Sequence, residues 1–314
     1  MNESQPAVNN IPVPPLPEAP IWHYTDTAGL LGILRNVDKT AEKGSRVGTY
    51  KPVLHATAAQ FLNDRRELTL GLGLVKEALD EFGGPGRQWF DDNPGAKNFL
   101  GQVAAAIQQI IDRTYPRYIH CSTISFSTVT DSLSQWRAYG RGTGGFAIEF
   151  NPSKFPRNST SERRSGLGWQ KITYVTDTLE GTLLDAFHHF VGQAMTDIRG
   201  PNPTPLAVNK AVQRLAFHAA SFKHMGFAEE NEWRFVEPGF GHAPGESNDP
   251  EFKFGAAGLT PYRAVELPAD AVMSLWVGPG PYQYENYLAA QSMLHRYGYV
   301  AASRNVHCSS TPFR

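Results

Sequence analysis

Residues 229–235 read Glu229-Glu230-Asn231-Glu232-Trp233-Arg234-Phe235. Three acidic residues in four positions run straight into a segment that alternates polar and aromatic side chains. In an extended chain, side chains two apart share a face, so Glu230, Glu232 and Arg234 are expected on one side and Trp233 and Phe235 on the other, in a core. Two carboxylates and a guanidinium on a rigid strand backed by buried aromatics is how a binding or catalytic site is commonly built. The plain alternative is a solvated strand edge with a local Glu–Arg pair, which would contribute little. The segments around this stretch decide between the two.

Working back from it, residues 205–224 and 178–199 carry helical periodicity and are separated by Gly200-Pro201-Asn202-Pro203, while 169–175 reads as a strand. Phe146-Ala147-Ile148-Glu149-Phe150 alternates cleanly and follows the glycine-rich turn 140–145. A phosphate-cradling loop of the dinucleotide-binding kind is followed by a helix; here a strand follows, so the glycines fit a hairpin turn better. Ser132 followed by Gln135 has capping-box spacing and opens a helix carrying Trp136 and Tyr139. The run 118–127 is β-branched, aromatic and small, the mix of a strand, with Ser125 and Ser127 on one face and Phe126 on the other. Further back, 98–115 is an amphipathic helix, 70–82 is helical, 58–68 is a helix or helical turn interrupted at Asn63-Asp64, and 53–57 is a short strand. Ile21-Trp22-His23-Tyr24-Thr25 opens the structured part, with Asp26 or Thr27 capping a helix at 28–34. A strand that ends in His-Tyr-Thr beside a helix N-terminus sets polar side chains next to free backbone N–H donors.

Downstream, residues 238–250 read as an acidic, glycine-rich loop, 262–267 as a strand and 272–277 as a buried strand, with a helix at 284–297 and a closing segment at 300–307. The expectation is an α+β fold: one domain over residues 21–314, with a mixed or antiparallel β core and inserted helices. The first half is expected to be mostly helical and to pack beside the sheet. Residues 1–20 are rich in Pro and Asn and are expected to form a flexible arm.

Composition narrows the functional classes. The 314 residues include 41% hydrophobic residues and 18 Phe, enough for a large core. With 29 basic against 30 acidic residues the formal net charge is −1, so nothing global draws the chain to nucleic acid or to a membrane. Two cysteines without metal-type spacing, Cys121 and Cys308, point away from a disulfide scaffold or a cysteine zinc site. No signal-peptide pattern and no long apolar run occurs, so a cytoplasmic protein without a membrane partner is the expectation.

Several of these residues together match a family pattern. They are His23-Tyr24-Thr25; Phe61, Asn63-Asp64 and Glu67; Ser125-Phe126-Ser127; Trp136, Tyr139, Gly145, Phe146 and Glu149; Lys223, Glu230, Glu232, Trp233 and Arg234; Val277-Gly278-Pro279; and Ser310 with Pro312-Phe313-Arg314. In order and spacing the chain resembles the DUF2971 family of bacterial proteins over nearly its whole length from about residue 21. That resemblance implies kinship and no particular chemistry.

A second resemblance, carried by three short motifs, does imply chemistry. The elements His23-Tyr24-Thr25, Ser125-Phe126-Ser127 and Glu230-Asn231-Glu232, in that order on strands, resemble those of ADP-ribosyltransferases. The resemblance implies a split sheet and NAD as the substrate. It implies that Glu232 stabilises positive charge on the ribose ring while Glu230 orients or deprotonates the acceptor. His23, Tyr24, Thr25, Ser125, Ser127, Trp136, Tyr139 and Arg234 then hold the nucleotide. The departure is a His-type first element combined with a Glu-x-Glu third element, two branches of that superfamily, which leaves the acceptor open between protein, nucleic acid and small molecule. The main alternative is a nucleotide- or nucleic-acid-binding module without catalysis, in a bacterial defence or regulatory system, with Arg137, Arg141 and Arg234 on phosphate. A metal-dependent hydrolase built from His23, Asp64, Glu230 and Glu232 and an interaction protein with a polar core remain as further readings.

Overall fold

The computed structural model describes residues 16–37, 50–61, 65–82, 94–112, 121–140, 144–156, 168–176, 204–238, 250–255 and 258–312. The helix expected at 178–199 and most of the N-terminal arm lie outside the described residues. The described elements, in order, are β1 (Ile21–Thr25), α1 (Thr27–Leu34), β2 (Asn36–Val37), β3 (Tyr50–Lys51), β4 (Val53–Ala58), α2 (Arg65–Phe82), α3 (Pro94–Ile111), β5 (Cys121–Ser127) and α4 (Leu133–Tyr139). Then follow β6 (Phe146–Phe150), β7 (Gly168–Lys171), β8 (Thr173–Val175), α5 (Pro205–Ala219), β9 (Phe222–His224), β10 (Glu232–Pro238) and β11 (Glu251–Gly255). The chain ends with β12 (Gly258–Glu266), β13 (Val272–Val277), α6 (Gln283–Arg296), α7 (Val300–Ser303) and β14 (Val306–Cys308).

Among the described residues, ten strands form one mixed sheet in which β11-β12-β4-β5-β1-β6-β13-β14 run side by side, while β10 pairs with β5 and β7 with β10. The fold is α+β. Strand β10 covers β5 along its whole length, from Glu232 opposite Ser127 to Pro238 opposite Cys121. One edge of β5 is therefore taken, and the other is shared by two strands. β4 pairs at Thr57–Thr123 and Ala58–Ser122, and β1 pairs at Trp22–Ser127. Between those two footprints the sheet forks, at the level of Ile124, Ser125 and Phe126. The first half of the chain thus supplies the central strands β4, β5, β1 and β6 instead of lying wholly beside the sheet.

Strand alternation sorts the two faces. Trp233, Phe235, Ile124 and Phe126 belong to the core shared with α1, α6 and α7. Val236 and Cys121 lie on the opposite face, in the core formed with α2, α3 and α5. A third, smaller cluster on this second face joins Trp22, Tyr24 and Ala147 to Trp136 of α4. Two helical layers therefore cover this face, α2-α3-α5 over β5 and β10 and α4 over β1 and β6. The polar residues Ser125, Ser127, Glu232 and Arg234 lie where the layers meet.

Three local outcomes differ from the sequence expectation. The segment expected to be helical to residue 224 ends with α5 at Ala219, and Phe222–His224 instead pairs in parallel with β8. β11 forms immediately after the stretch read as a loop. The Ser132–Gln135 capping box does not close, because Ser132 makes no side-chain cap hydrogen bond and Gln135 is buried against the pocket described next.

Candidate functional site

β10 does not begin where the acidic run begins. Residues 225–230 form a 3-10 turn, and Asn231, at φ 42°, is left-handed before β10 starts at Glu232. Asn tolerates this conformation better than most residues because its short amide bonds locally. The turn changes how Glu230 reaches the site. Strand alternation does not put it on the face of Glu232; the kink at Asn231 does, and both carboxylates converge on one ammonium. Lys223 Nζ on β9 lies 2.6 Å from Glu230 Oε2, 2.9 Å from Glu232 Oε2 and 3.0 Å from Glu67 Oε1 on α2.

Arg234 completes the cluster from beneath. Its Nε donates to Glu232 Oε1 at 2.7 Å, Nη2 to Glu67 Oε2 at 2.5 Å and Nη1 to the carbonyl of Ala220 at 2.6 Å. Only 1% of Arg234 is exposed. Three carboxylates and two cations leave this buried network with one net negative charge. Burial alone would raise the Glu232 pKa, but Arg234 and Lys223 outweigh it and hold the carboxyl at about 2, with a further hydrogen bond from Ser125. Glu230 moves the other way, its pKa raised by burial against the opposing pull of Lys223. Two adjacent carboxylates with diverging proton affinities are the arrangement from which acid–base roles are drawn.

Both carboxylates line a pocket of about 40 Å³ together with Trp22, His23, Tyr24, Ser125, Phe126, Ser127, Gln135 and Tyr139. Residues from β1, β5, α4 and β10 thus meet although the sequence separates the first from the last by 210 positions. His23 sits at the fork of the sheet, where its Nδ1 bonds the Ser125 carbonyl at 3.0 Å. A carbonyl only accepts, so Nδ1 carries the proton and Nε2 of the neutral ring is left as an acceptor. Burial lowers the His23 pKa and favours that neutral form. Tyr139 is held as a phenol, its pKa pushed up to about 12 by burial and by Glu232 and Glu230. The indole N–H of Trp22 is buried without a partner, a donor with unmet hydrogen-bonding capacity in a pocket-lining residue.

The remaining sequence candidates play other parts. Arg234 is behind Glu232 and does not line the pocket. Trp136 is a support: its Nε1 donates to Asp131 at 2.8 Å, and its ring meets Tyr24 edge-on at 4.7 Å. Thr25 faces the start of α1, so close that a Cβ on Gly29 would lie 1.9 Å from its hydroxyl. Ser127 lines the pocket, but its hydroxyl is committed to the carbonyl of Glu230 at 2.6 Å, which fixes the turn. Glu67, Lys223, Gln135 and Trp22 received no site role from the sequence. Glu67 and Lys223 stood in the family pattern; distance in sequence from β10 hid the first, and the helical reading of residues 222–224 hid the second. Among the described residues no group of three or more His, Cys, Asp or Glu is arranged to hold a metal ion; Asp64 lies outside them. No helix among the described residues is long and apolar enough to cross a membrane.

No curated protein and no solved structure matches the chain. Residues 135–235, which run from Gln135 on the pocket wall through Lys223, Glu230 and Glu232 to the end of the ion network, match the family described as "Protein of unknown function (DUF2971)".

Proposed function

We propose that the chain is an ADP-ribosyltransferase-like enzyme that breaks the nicotinamide–ribose bond of NAD and passes the ADP-ribosyl group to an acceptor. The observation that carries this reading is the composition of the pocket wall: two carboxylates and five aromatic rings (Trp22, His23, Tyr24, Phe126 and Tyr139), with no Lys or Arg. Such a wall suits a flat cation, since aromatic faces and carboxylates both attract positive charge. The nicotinamide ring of NAD carries that charge, and so does the ribose as its bond to nitrogen stretches towards an oxocarbenium-like state.

Each group has a role in the proposal. Glu232 is the fixed anion: ionised at any physiological pH and locked by Arg234 and Lys223, it stabilises the cation developing on the ring without having to reorient. Glu230, with its raised pKa and its position at the pocket edge, accepts the proton of the attacking acceptor. The C1′–N bond breaks, its electron pair leaves with neutral nicotinamide, and the acceptor oxygen or nitrogen bonds to C1′. Neutral His23 offers Nε2 as an acceptor to a ribose hydroxyl or the nicotinamide amide. Trp22 and Tyr139 offer donors.

Glu230→Gln is the informative variant, because Glu230 has one ion partner where Glu232 has two. Nicotinamide release should fall by about 10²–10³ while NAD affinity is kept. NAD binding with no release from the unaltered protein would instead favour a nucleotide-binding module without turnover. That second reading has one observation behind it: both carboxylate oxygens of Glu232 are already engaged by Arg234 and Lys223. Absence of NAD binding would overturn the transferase reading.

A further inference from the structure

The small pocket takes one ring or one edge of a sugar, so most of any nucleotide bound there has to lie outside it. The ion network behind the pocket carries a net negative charge and repels phosphate. An anionic remainder therefore needs a cation elsewhere on the same face, and the fork in the sheet supplies one. We infer that Lys253, at the β4 side of that fork, is a phosphate-binding subsite for the nucleotide whose ring enters the pocket; this rests on the nucleotide reading above.

The register puts Lys253 there. On β11, Lys253 stands opposite Thr260 and Glu251 opposite Tyr262. On the next strand Tyr262 stands opposite Thr57, which in turn stands opposite Thr123 of β5. Directly paired residues share a face, so Lys253, Tyr262, Thr57 and Thr123 lie on the side of the sheet that carries Ser125 and Glu232. Lys253 Nζ donates to Thr57 Oγ1 at 3.0 Å and sits over the Tyr262 ring, 5.4 Å from its centroid. Ser125 follows Thr123 by two residues, roughly 7 Å along the strand, and His23 bonds the Ser125 carbonyl from the other prong of the fork. The Lys253 ammonium is near enough to His23 to disfavour a charge on that ring. Lys253 thus stands at one prong of the fork and the pocket residue His23 at the other.

Lys253 is also a cation without a counter-ion. Lys51, Lys76, Lys154 and Lys223 each pair with a carboxylate, whereas Lys253 touches a hydroxyl and a ring only, among the described residues. The carboxylate two positions away, Glu251, accepts instead from the Tyr262 hydroxyl at 2.6 Å. Burial without compensation lowers the Lys253 pKa to about 8. A bound phosphate would supply the missing negative charge and accept from Lys253. Beside it, the buried hydroxyl of Thr123 has no partner, a second unmet polar group on the same face.

The test uses the full chain and three probes, ADP, inorganic pyrophosphate and nicotinamide riboside, titrated calorimetrically at fixed ionic strength. Lys253→Met keeps the aliphatic stem and removes the charge. It should weaken ADP and pyrophosphate by about ten- to a hundred-fold, the size of a charge-assisted hydrogen bond, and leave nicotinamide riboside unchanged. Thr57→Val, which removes only the hydroxyl that positions the ammonium, should weaken the same two probes by a smaller factor and carries the test if Lys253→Met does not fold. Failure of the unaltered protein to bind either anionic probe overturns the subsite, as does anion binding that neither variant weakens. Lysine-dependent ADP binding without nicotinamide riboside binding or nicotinamide release leaves the subsite standing and removes the transferase reading.

Discussion

Glu232→Gln looks harmless in the sequence, a near-isosteric change on a strand, but the ion network makes it costly. The side chain is only 4% exposed, and its carboxylate is engaged by Arg234 through Nε at 2.7 Å and Nη2 at 3.2 Å and by Lys223 at 2.9 Å. Those partners hold its pKa at about 2 against an ordinary 4.5, which at ~1.4 kcal/mol per pH unit corresponds to about 3–4 kcal/mol. Removal of one partner from a buried pair often costs 3–5 kcal/mol because an uncompensated charge is left behind. Here the loss should sit at the low end. The network starts with three carboxylates and two cations, so the variant leaves Glu67 and Glu230 balanced against Lys223 and Arg234. The folded-state pKa is depressed, so this stabilisation is fully present above the unfolded value near 4.5 and is lost as pH falls towards about 2. Urea unfolding at pH 7 should show Glu232→Gln weaker by about 3 kcal/mol, and the difference between the two proteins should shrink steadily from pH 5 to pH 3. Equal stability at pH 7, or a difference that does not change with pH, would refute the reasoning and mean that the network contributes nothing net to folding.

Glu230→Gln should leave stability within about 1 kcal/mol, as for a partly exposed ion pair, so any loss of nicotinamide release in that variant reports on chemistry and not on unfolding. Asn231→Val should cost about 1–2 kcal/mol, because a β-branched residue resists the left-handed φ of 42°; Asn231→Gly should cost little, and equal melting temperatures for all three proteins would count against strain at the kink. Gly71→Ala should destabilise the protein even though Ala is the better helix former by about 1 kcal/mol, since a Cβ at Gly71 would lie 2.1 Å from the carbonyl oxygen of Ala219. A more stable Gly71→Ala protein would show that α2 and α5 can separate at no cost.

The sequence made the site legible wherever a strand carried its own pattern. The alternation of Glu232-Trp233-Arg234-Phe235 put the charged pair and the aromatics on opposite faces, as found, because β10 is paired on both sides and its phase is pinned by two cores. The Ser125–Ser127 face was readable for the same reason. Glu230 was placed on the correct side by the wrong cause, since periodicity carries no trace of one left-handed residue that reverses the phase. Lys223 looked like the tail of a helix, because β9 forms by pairing with β8, where Tyr174 stands opposite Lys223, and local propensity is blind to a partner that distant in sequence. The fork at Ser125 was not readable either. It depends on β4 and β1 sharing one edge of β5, and strand order is a property of tertiary packing.

That fork also explains why a polar network of this size is tolerated inside the fold. Where β4 and β1 part, the sheet cannot satisfy the Ser125 carbonyl with a strand partner, and a buried orphan of that kind is costly. His23 meets it from β1, at 3.0 Å. The helical layers face the same difficulty on the far side of β5. The carbonyl of Ala220 just beyond α5 receives Arg234 Nη1, and Arg234 in turn demands carboxylates. Glu232 comes from its own strand and Glu67 from α2, four residues from the glycine whose missing Cβ lets α2 approach α5. Two cations satisfy the backbone and the carboxylates but leave one negative charge over, and both Glu230 and Glu232 also line the pocket. The surplus charge therefore faces the pocket, across β5 from the break between β4 and β1, where a bound cation would meet it.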